Sequence, residues 1–256
     1  MDIITSRQNP LIQETAKLKD KKYRDEKRMF LFEGIKLTKE AISSKVDIVN
    51  IFLTEKCAKK YPFLAEMENA VIIGESVLSK ISENSAPEGI VCTARYIENL
   101  HKSHDEGANC TPSLILSTIQ DPGNLGTIMR TSAAFGKMTL VLSNDCADIY
   151  NQKTIRASMG AVFRMNTYRT KDLCNTIKEI KKQRPVYATA LTPKAMRLQD
   201  VNDTKNCCFV LGNEGHGLSD EVIDACSGTV IIPMEEGAES LNVSAASTVL
   251  LWEAYR

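Results

Sequence analysis

From Ser113 to the C-terminus, short apolar runs alternate with helix-spaced segments, and this alternation limits the chain to very few folds. The runs 114–119, 138–142, 186–191, 207–211 and 229–233 have the length and the aliphatic character of strands. Between and after them, 125–135, 151–158, 172–183, 219–226 and 242–255 space their apolar residues as helices do. Strand and helix taken in turn imply an α/β fold, a parallel sheet with crossover helices.

Residues 1–98 read as a second, smaller α/β module. Pro10 to Lys19 looks helical, and Phe30-Leu-Phe-Glu-Gly34 looks like a strand stopped by glycine. Ile35 to Ser43 is amphipathic, and Val46–Leu53, Ala70–Ile73 and Pro87–Ala94 read as extended. Residues 99–112 are polar and aperiodic, as a linker is. His101 and His104 fall there and are expected to be exposed.

Several function classes drop out. With His216 the only histidine beyond the linker and no C-x-x-C among eight cysteines, neither a zinc site nor a Ser-His-Asp set is expected. The cysteines are expected to act as small buried hydrophobes. No apolar stretch approaches a membrane span, and the N-terminus lacks a secretory pattern, so a cytoplasmic protein is expected. Net charge is zero yet uneven: residues 1–60 carry 14 Lys/Arg against 9 Asp/Glu. The excess centres on Lys17-Leu-Lys-Asp-Lys-Lys-Tyr-Arg-Asp-Glu-Lys-Arg28. That run fits either a solvated helix face or a phosphate-contacting patch.

Three strand ends carry the polar chemistry. Asp121-Pro-Gly-Asn-Leu-Gly-Thr-Ile-Met-Arg130 follows the first run, with turn residues leading into a helix. Gly212-Asn-Glu-Gly-His-Gly-Leu-Ser219 follows 207–211, and its glycines allow backbone to approach a ligand closely. Ser219 is placed to cap the next helix. The third loop, Glu235-Glu-Gly-Ala-Glu-Ser-Leu-Asn-Val-Ser244, runs into the C-terminal helix, where Ser240 or Asn242 serves equally as cap or site residue. No G-x-G-x-x-G or G-x-x-x-x-G-K-[ST] fingerprint is present. Arginine beside neutral amides, at Asn124, Arg130, Glu214, Ser240 and Asn242, suits an anionic ligand.

In this order, the three loops resemble the signature motifs of the SpoU (TrmH-like) branch of the SPOUT RNA methyltransferases. Asn124-Leu-Gly-Thr-Ile-Met-Arg130 is similar to the first motif and Leu211-Gly-Asn-Glu-Gly-His-Gly-Leu-Ser219 to the second. Ile231-Ile-Pro-Met with Ser240-Leu-Asn-Val-Ser-Ala-Ala246 is similar to the third, and Gln152–Ala161 to a further stretch of the branch. The likeness spans residues 113–256. Residues 1–98, through Ser6-Arg-Gln-Asn-Pro10 and Phe32-Glu-Gly34, resemble an L30e-like substrate-binding domain.

The resemblance implies a C-terminal trefoil knot, a homodimer, S-adenosylmethionine as cofactor, and methylation of a ribose 2′-hydroxyl of RNA. Ribosomal RNA is expected ahead of transfer RNA; a base-nitrogen methyltransferase and a non-catalytic RNA-binding protein are the rival readings. By resemblance the reacting hydroxyl falls to Asn124, Arg130, Glu214, Ser240 and Asn242. The cofactor falls to Leu211, Gly212, Asn213, Gly217, Ile232, Met234 and Leu241. RNA phosphates fall to Lys21, Lys22, Arg24, Lys27, Arg28 and Arg156. Two versions of Arg130 stand open. In one it is an unusual base, with Asn124 holding its guanidinium; in the other it clamps an RNA phosphate. The clamp suits arginine better, since it keeps its proton at ordinary pH. Glu214 could pair with it.

Overall fold

The computed structural model describes residues 3–100, 102–103, 113–235, 237 and 240–256. His101, His104, Cys110 and most of the expected linker lie outside them. Backbone contacts divide the chain into two compact units: Met1–Ile97 with Tyr150–Phe163, and Glu98–Ile149 with Arg164–Arg256.

The first unit contains α1 (Pro10–Lys17), α2 (Lys21–Lys27), β1 (Met29–Glu33), α3 (Ile35–Ser43) and β2 (Ile48–Thr54). It continues with α4 (Glu55–Lys60), α5 (Pro62–Ala65), β3 (Ala70–Ile73), α6 (Glu75–Ile81) and β4 (Ile90–Arg95). Its sheet runs β1-β4-β2-β3, antiparallel except for β2 and β3. Ile12, Leu31, Phe52, Ile73, Val77 and Val91 form one buried core. Sequence pattern misses α2, because the charged run hides its boundaries. Asp20 caps it by accepting from the Tyr23 N–H, and Arg28 ends it at φ 54°.

Tyr150–Phe163, adjacent in sequence to the second unit, packs in the first. It carries a short helix, Gln152–Ser158. Tyr150 stacks on Tyr96 at 4.1 Å between ring centroids and lies 4.5 Å from Phe30, and Phe163 lies 5.2 Å from Phe32. The Tyr150 hydroxyl accepts from the Ile97 N–H at 2.7 Å.

The second unit holds β5 (Lys102–Ser103), β6 (Leu114–Leu116), a 13-residue α7 (Pro122–Ala134), β7 (Thr139–Ser143) and β8 (Asn166–Thr170). After α8, the Gln152–Ser158 helix of the first unit, come α9 (Leu173–Lys181), β9 (Val186–Thr189), β10 (Met196–Arg197), β11 (Cys208–Leu211), α10 (Asp220–Ala225), β12 (Gly228–Ile231) and α11 (Val243–Glu253). The strand order is β10-β12-β9-β11-β6-β7-β8-β5, and every pairing is parallel. The expected parallel α/β sheet is what forms. Leu114, Leu116, Leu140, Leu142, Phe209 and Val210 are fully buried, as strands covered on both faces require. From β6 the chain builds one way to β7 and β8, and later strands fill in on the other side. The order therefore reverses between β6 and β11, and a crevice opens outside the carboxyl ends of strands at such a switch.

Two details correct the sequence expectation. β8, Asn-Thr-Tyr-Arg-Thr, is absent from the strands expected, because its polar residues break the apolar run. And Asp121-Pro-Gly-Asn is no separate turn. Asp121 is the N-cap of α7, accepting from the Asn124 N–H at 2.8 Å, and Pro122 occupies the first helical position, where its missing N–H costs nothing.

Candidate active site

A cleft of about 440 Å³ opens at the strand ends of the second unit. Its floor is Leu211, Val230 and Ile231. Gly212, Asn213, Glu214, Gly215 and Gly217 form one wall, and Ile232, Met234, Ser240 and Leu241 form another. All seven residues expected to hold a cofactor, Asn213 among them, therefore line this cleft. Met234 and Leu241 leave much of their apolar surface exposed, and Leu191 in the same cleft is 91% exposed. Exposed aliphatic side chains grouped in one concavity mark a binding surface. Thr189, Ala190 and Leu191 fall in the strand expected over 186–191; their part in the cleft has no sequence signal of its own.

Gly212 must be glycine. A Cβ there would lie 2.5 Å from both C and O of Gly217 and 2.8 Å from the Leu218 nitrogen. The loop is closed on itself by Asn213 N–H to Gly217 O (3.1 Å) and Gly217 N–H to Asn213 O (2.9 Å). Gly217 turns at φ 68°. The Asn213 side chain is committed to the same loop: Oδ1 accepts from the N–H groups of Gly215 (2.8 Å) and His216 (3.2 Å), and Nδ2 donates to Thr118 O at 3.0 Å. Asn213 is thus a scaffold for the cradle, with both its side chain and its backbone N–H engaged within the protein.

Thr118 is a position that sequence pattern does not reveal. It is β-branched yet sits at φ 57°, a conformation that costs about 1–3 kcal/mol and persists only when its neighbours impose it. Here they do. Its carbonyl takes the Asn213 amide, its N–H donates to Ser143 Oγ (2.9 Å), and its hydroxyl donates to Asp145 Oδ2 (2.8 Å). Ser143 Oγ in turn donates to Asp145 Oδ1. Burial pushes the Asp145 carboxyl up, but the hydrogen bonds from Ser143 and Thr118 and the charge of Arg169 outweigh it and hold it below its ordinary value.

The three polar loops are joined by one hydrogen-bond chain. Asn242 is the N-cap of α11: its Oδ1 accepts from Ser244 N–H (2.9 Å) and Oγ (2.6 Å). That fixes which end of the amide faces the cap. Its Nδ2 then donates to Asn124 Oδ1 (3.2 Å), and Asn124 Nδ2 donates to Glu214 Oε1 (2.6 Å). Asn242 is therefore both cap and site residue, while Ser240 lines the cleft without capping. Ser219 occupies the N-cap position of α10 but makes no side-chain cap bond.

Arg130 does not join this chain. It lies six residues beyond Asn124, about 240° further around α7, on an exposed position. Among the described residues it has no hydrogen bond or ion pair. Glu214, expected to pair with it, engages Asn124 instead, and Asn124 holds Glu214 and Asn242 in place of the guanidinium.

The basic set on α2 is largely spent as well. Arg24 is only 6% exposed and donates to the carbonyls of Leu18 (2.9 Å) and Lys19 (2.7 Å), which removes it from any surface contact. Lys21 pairs with Asp25 and Lys27 with Glu26, while Arg28 lies over the Tyr96 ring. Lys22 is exposed. Arg156 is bonded to Asn84 within the first unit.

The chain matches known proteins over most of its length. A model of the SpoU rRNA Methylase family matches residues 112–252, and one of the MRM3-like substrate binding domain matches residues 9–92. The chain is 29% identical over 256 residues to the 23S rRNA (guanosine(2553)-2′-O)-methyltransferase RlmP of Bacillus subtilis, covering 98% of each. It is 32% identical to an uncharacterised tRNA/rRNA methyltransferase of Synechocystis, covering 99% of this chain and 93% of the relative. An AdoMet-bound rRNA methyltransferase from Sinorhizobium meliloti superposes with a TM-score of 0.83 at 27% identity, covering 99% of this chain and 97% of that one.

Proposed function

The chain belongs to the SpoU rRNA methylase family, and we propose that its cleft performs the transfer of a methyl group from S-adenosylmethionine to a ribose 2′-hydroxyl of ribosomal RNA. The observation that carries this is the Asn242–Asn124–Glu214 chain at the mouth of a glycine-walled cleft. It fixes three loops against one another at the switch point of the sheet, where a reacting hydroxyl could be held.

The residues present fit the cofactor. The stretch at Gly212, where a Cβ has no room, offers bare backbone to a polar group. Leu211, Ile232, Met234 and Leu241 offer apolar surface to an adenosine. When bound, S-adenosylmethionine supplies a methyl group already activated on a sulfonium. What the protein must add is alignment. Asn124 and Asn242 hold Glu214 in one orientation, and Ser240 at the rim keeps a free hydroxyl for the ribose. Arg130 supplies a permanent cation for an RNA phosphate and orients the sugar through it; it cannot accept the proton, which leaves to phosphate or water.

The first unit acts as the RNA-binding module: exposed Lys22 is open to phosphate, and Lys21, Lys27, Arg28 and Arg156 reach phosphate by exchanging the partners they now hold. The enzyme works as a homodimer. Exposed Trp252 and Tyr255 and half-buried Phe135 form one aromatic cluster at the C-terminal ends of α11 and α7, with ring centroids 5.4–6.1 Å apart, beside exposed Val249. Such a patch is characteristic of an interface. α7 also carries Arg130. A trefoil knot threaded by the C-terminal strands and α11 belongs to this reading, as does work on ribosomal RNA in the cytoplasm.

The test is transfer of labelled methyl from S-adenosylmethionine to unmodified ribosomal RNA, followed by nucleoside analysis. A 2′-O-methylated nucleoside supports the assignment. A methylated base, or no incorporation into any RNA, overturns it.

A further inference from the structure

The first unit has a second basic region, and it differs in kind from α2. On α3 and α4 lie Lys36, Lys39, Lys56, Lys59 and Lys60, all exposed. Among the described residues none of them has an ion pair, whereas Lys17, Lys21 and Lys27 around α2 each have one. Two aromatic rings are set into this lysine surface. Phe63 is 47% exposed, with Tyr61 edge-on to it at 6.5 Å and 79°. Lys39 Nζ lies 5.8 Å from the Phe63 centroid, and Lys60 Nζ lies 5.3 Å from the Tyr61 centroid. A hollow of about 400 Å³ beside them is lined by Thr54, Lys56, Lys60, Tyr61, Glu75 and Glu88.

What sets this face apart is not the exposed phenylalanine alone but its grouping with Tyr61 and unpaired lysines. Unpaired RNA needs this combination: rings on which splayed bases stack, cations at phosphate spacing beside them, and acceptors for base amino groups and 2′-hydroxyls. Glu75 and Glu88 are such acceptors. A duplex offers its bases no access to the rings, so the aromatic component discriminates single strands from helices.

We propose that the α3–α5 face is the platform on which the first unit docks an unpaired RNA strand, with bases on Tyr61 and Phe63 and phosphates on Lys39, Lys56 and Lys60. This rests on the RNA methyltransferase reading above and moves the main RNA contact away from α2.

The experiment compares three variants of the full chain: Tyr61→Ala/Phe63→Ala, Lys56→Ala/Lys60→Ala, and the α2 control Lys21→Ala/Lys22→Ala. The probes are a short fluorescent oligouridylate and an RNA duplex of equal length. The aromatic variant weakens oligouridylate binding by about tenfold or more per stacked base, and leaves the duplex unchanged. Tyr61→Trp restores the loss at its position. The lysine variant lowers the slope of log K against log salt by about 0.7 for each phosphate contact removed. The α2 control, whose lysines give sequence-independent contacts, weakens single strand and duplex alike, and by less than the platform variants weaken the single strand. Melting temperature and S-adenosylmethionine affinity stay at the parent values throughout. The platform is overturned if the aromatic variant binds oligouridylate as the parent does, or if single strand and duplex weaken together. If the parent binds and methylates RNA while every platform variant matches it, the platform alone falls. If the parent binds no RNA, the reading beneath it falls too.

Discussion

Replacing Gly212 by alanine tests the backbone cradle directly. The added Cβ would sit 2.5 Å from the Gly217 carbonyl, and ordinary contact begins at 3.4 Å, so about 0.9 Å must be made up by moving backbone. The atoms in the way are main chain, not the end of a flexible side chain. The movement breaks the two hydrogen bonds that close the loop between Asn213 and Gly217. Each is worth about 1 kcal/mol net, and forcing a methyl into packed surroundings costs about 1–3 kcal/mol. A total of about 3–5 kcal/mol corresponds to a roughly 150- to 5000-fold loss of affinity for S-adenosylmethionine. Gly217→Ala provides the comparison. Its Cβ meets nothing within 4 Å, but φ 68° is unfavourable for alanine by about 1 kcal/mol, or roughly fivefold. Titration calorimetry with S-adenosylmethionine, on variants whose melting curves remain cooperative, reads the two effects. Binding by Gly212→Ala within a factor of about three of the parent, or a larger loss at Gly217 than at Gly212, would refute the steric account of the cradle.

Four other outcomes are expected. Arg130→Ala abolishes methyl transfer while calorimetric binding of S-adenosylmethionine persists, since no described residue of the cleft depends on it; equal turnover would remove Arg130 from the reaction. Asn242→Asp keeps the α11 cap but loses the donor to Asn124, so turnover falls at nearly parental stability; Asn242→Ala loses both and also destabilises by about 1 kcal/mol, measured by urea unfolding. The folded-state carboxyl of Asp145 is below its ordinary value of 3.8, so its contribution to stability is present above that value and lost as pH falls through the lower folded one. Asp145→Asn therefore flattens the acid limb of stability against pH, and an unchanged limb contradicts the Ser143–Asp145–Thr118 arrangement. Burial pushes the thiols of Cys92 and Cys226 up to about 12, so a thiol reagent at neutral pH modifies them only as the protein unfolds; rapid native-state labelling at either cysteine, located by mass spectrometry, would contradict their burial.

Much of the second unit was legible because burial writes itself into sequence. Strands such as Leu114–Leu116 and Cys208–Leu211 lie between two covered faces and must be continuously apolar. Asn166–Thr170 escaped for the converse reason: Asn166 and Arg169 retain partial exposure, so the run never looks apolar. That these loops meet was legible, since Asn124, Glu214 and Asn242 are polar residues at strand ends, and they hydrogen-bond in one chain. Their wiring was not. Which amide faces which depends on the cap at Asn242, and the separation of Arg130 from Glu214 depends on helical rotation along α7. Thr118 shows the limit most plainly: a threonine in the left-handed region looks like any other until Asn213, Ser143 and Asp145 are seen around it. On α2, composition promised a cationic face, but reach and pairing decide availability. Arg24 turns inward to backbone carbonyls, and its neighbours find carboxylates one to four residues away.

The packing of Tyr150–Phe163 in the first unit has a consequence for how the protein is made. Translation delivers residues 1–97 long before the aromatic pair Tyr150 and Phe163 that covers Phe30 and Phe32. Until about fifty further residues have left the ribosome, the nascent module holds its four strands with part of its aromatic core open to solvent. A gene truncated near codon 98 would make that interval permanent. Such a fragment should be prone to association and slow to reach a sharp melting transition. A fragment joined by a short linker to 150–163 should regain one.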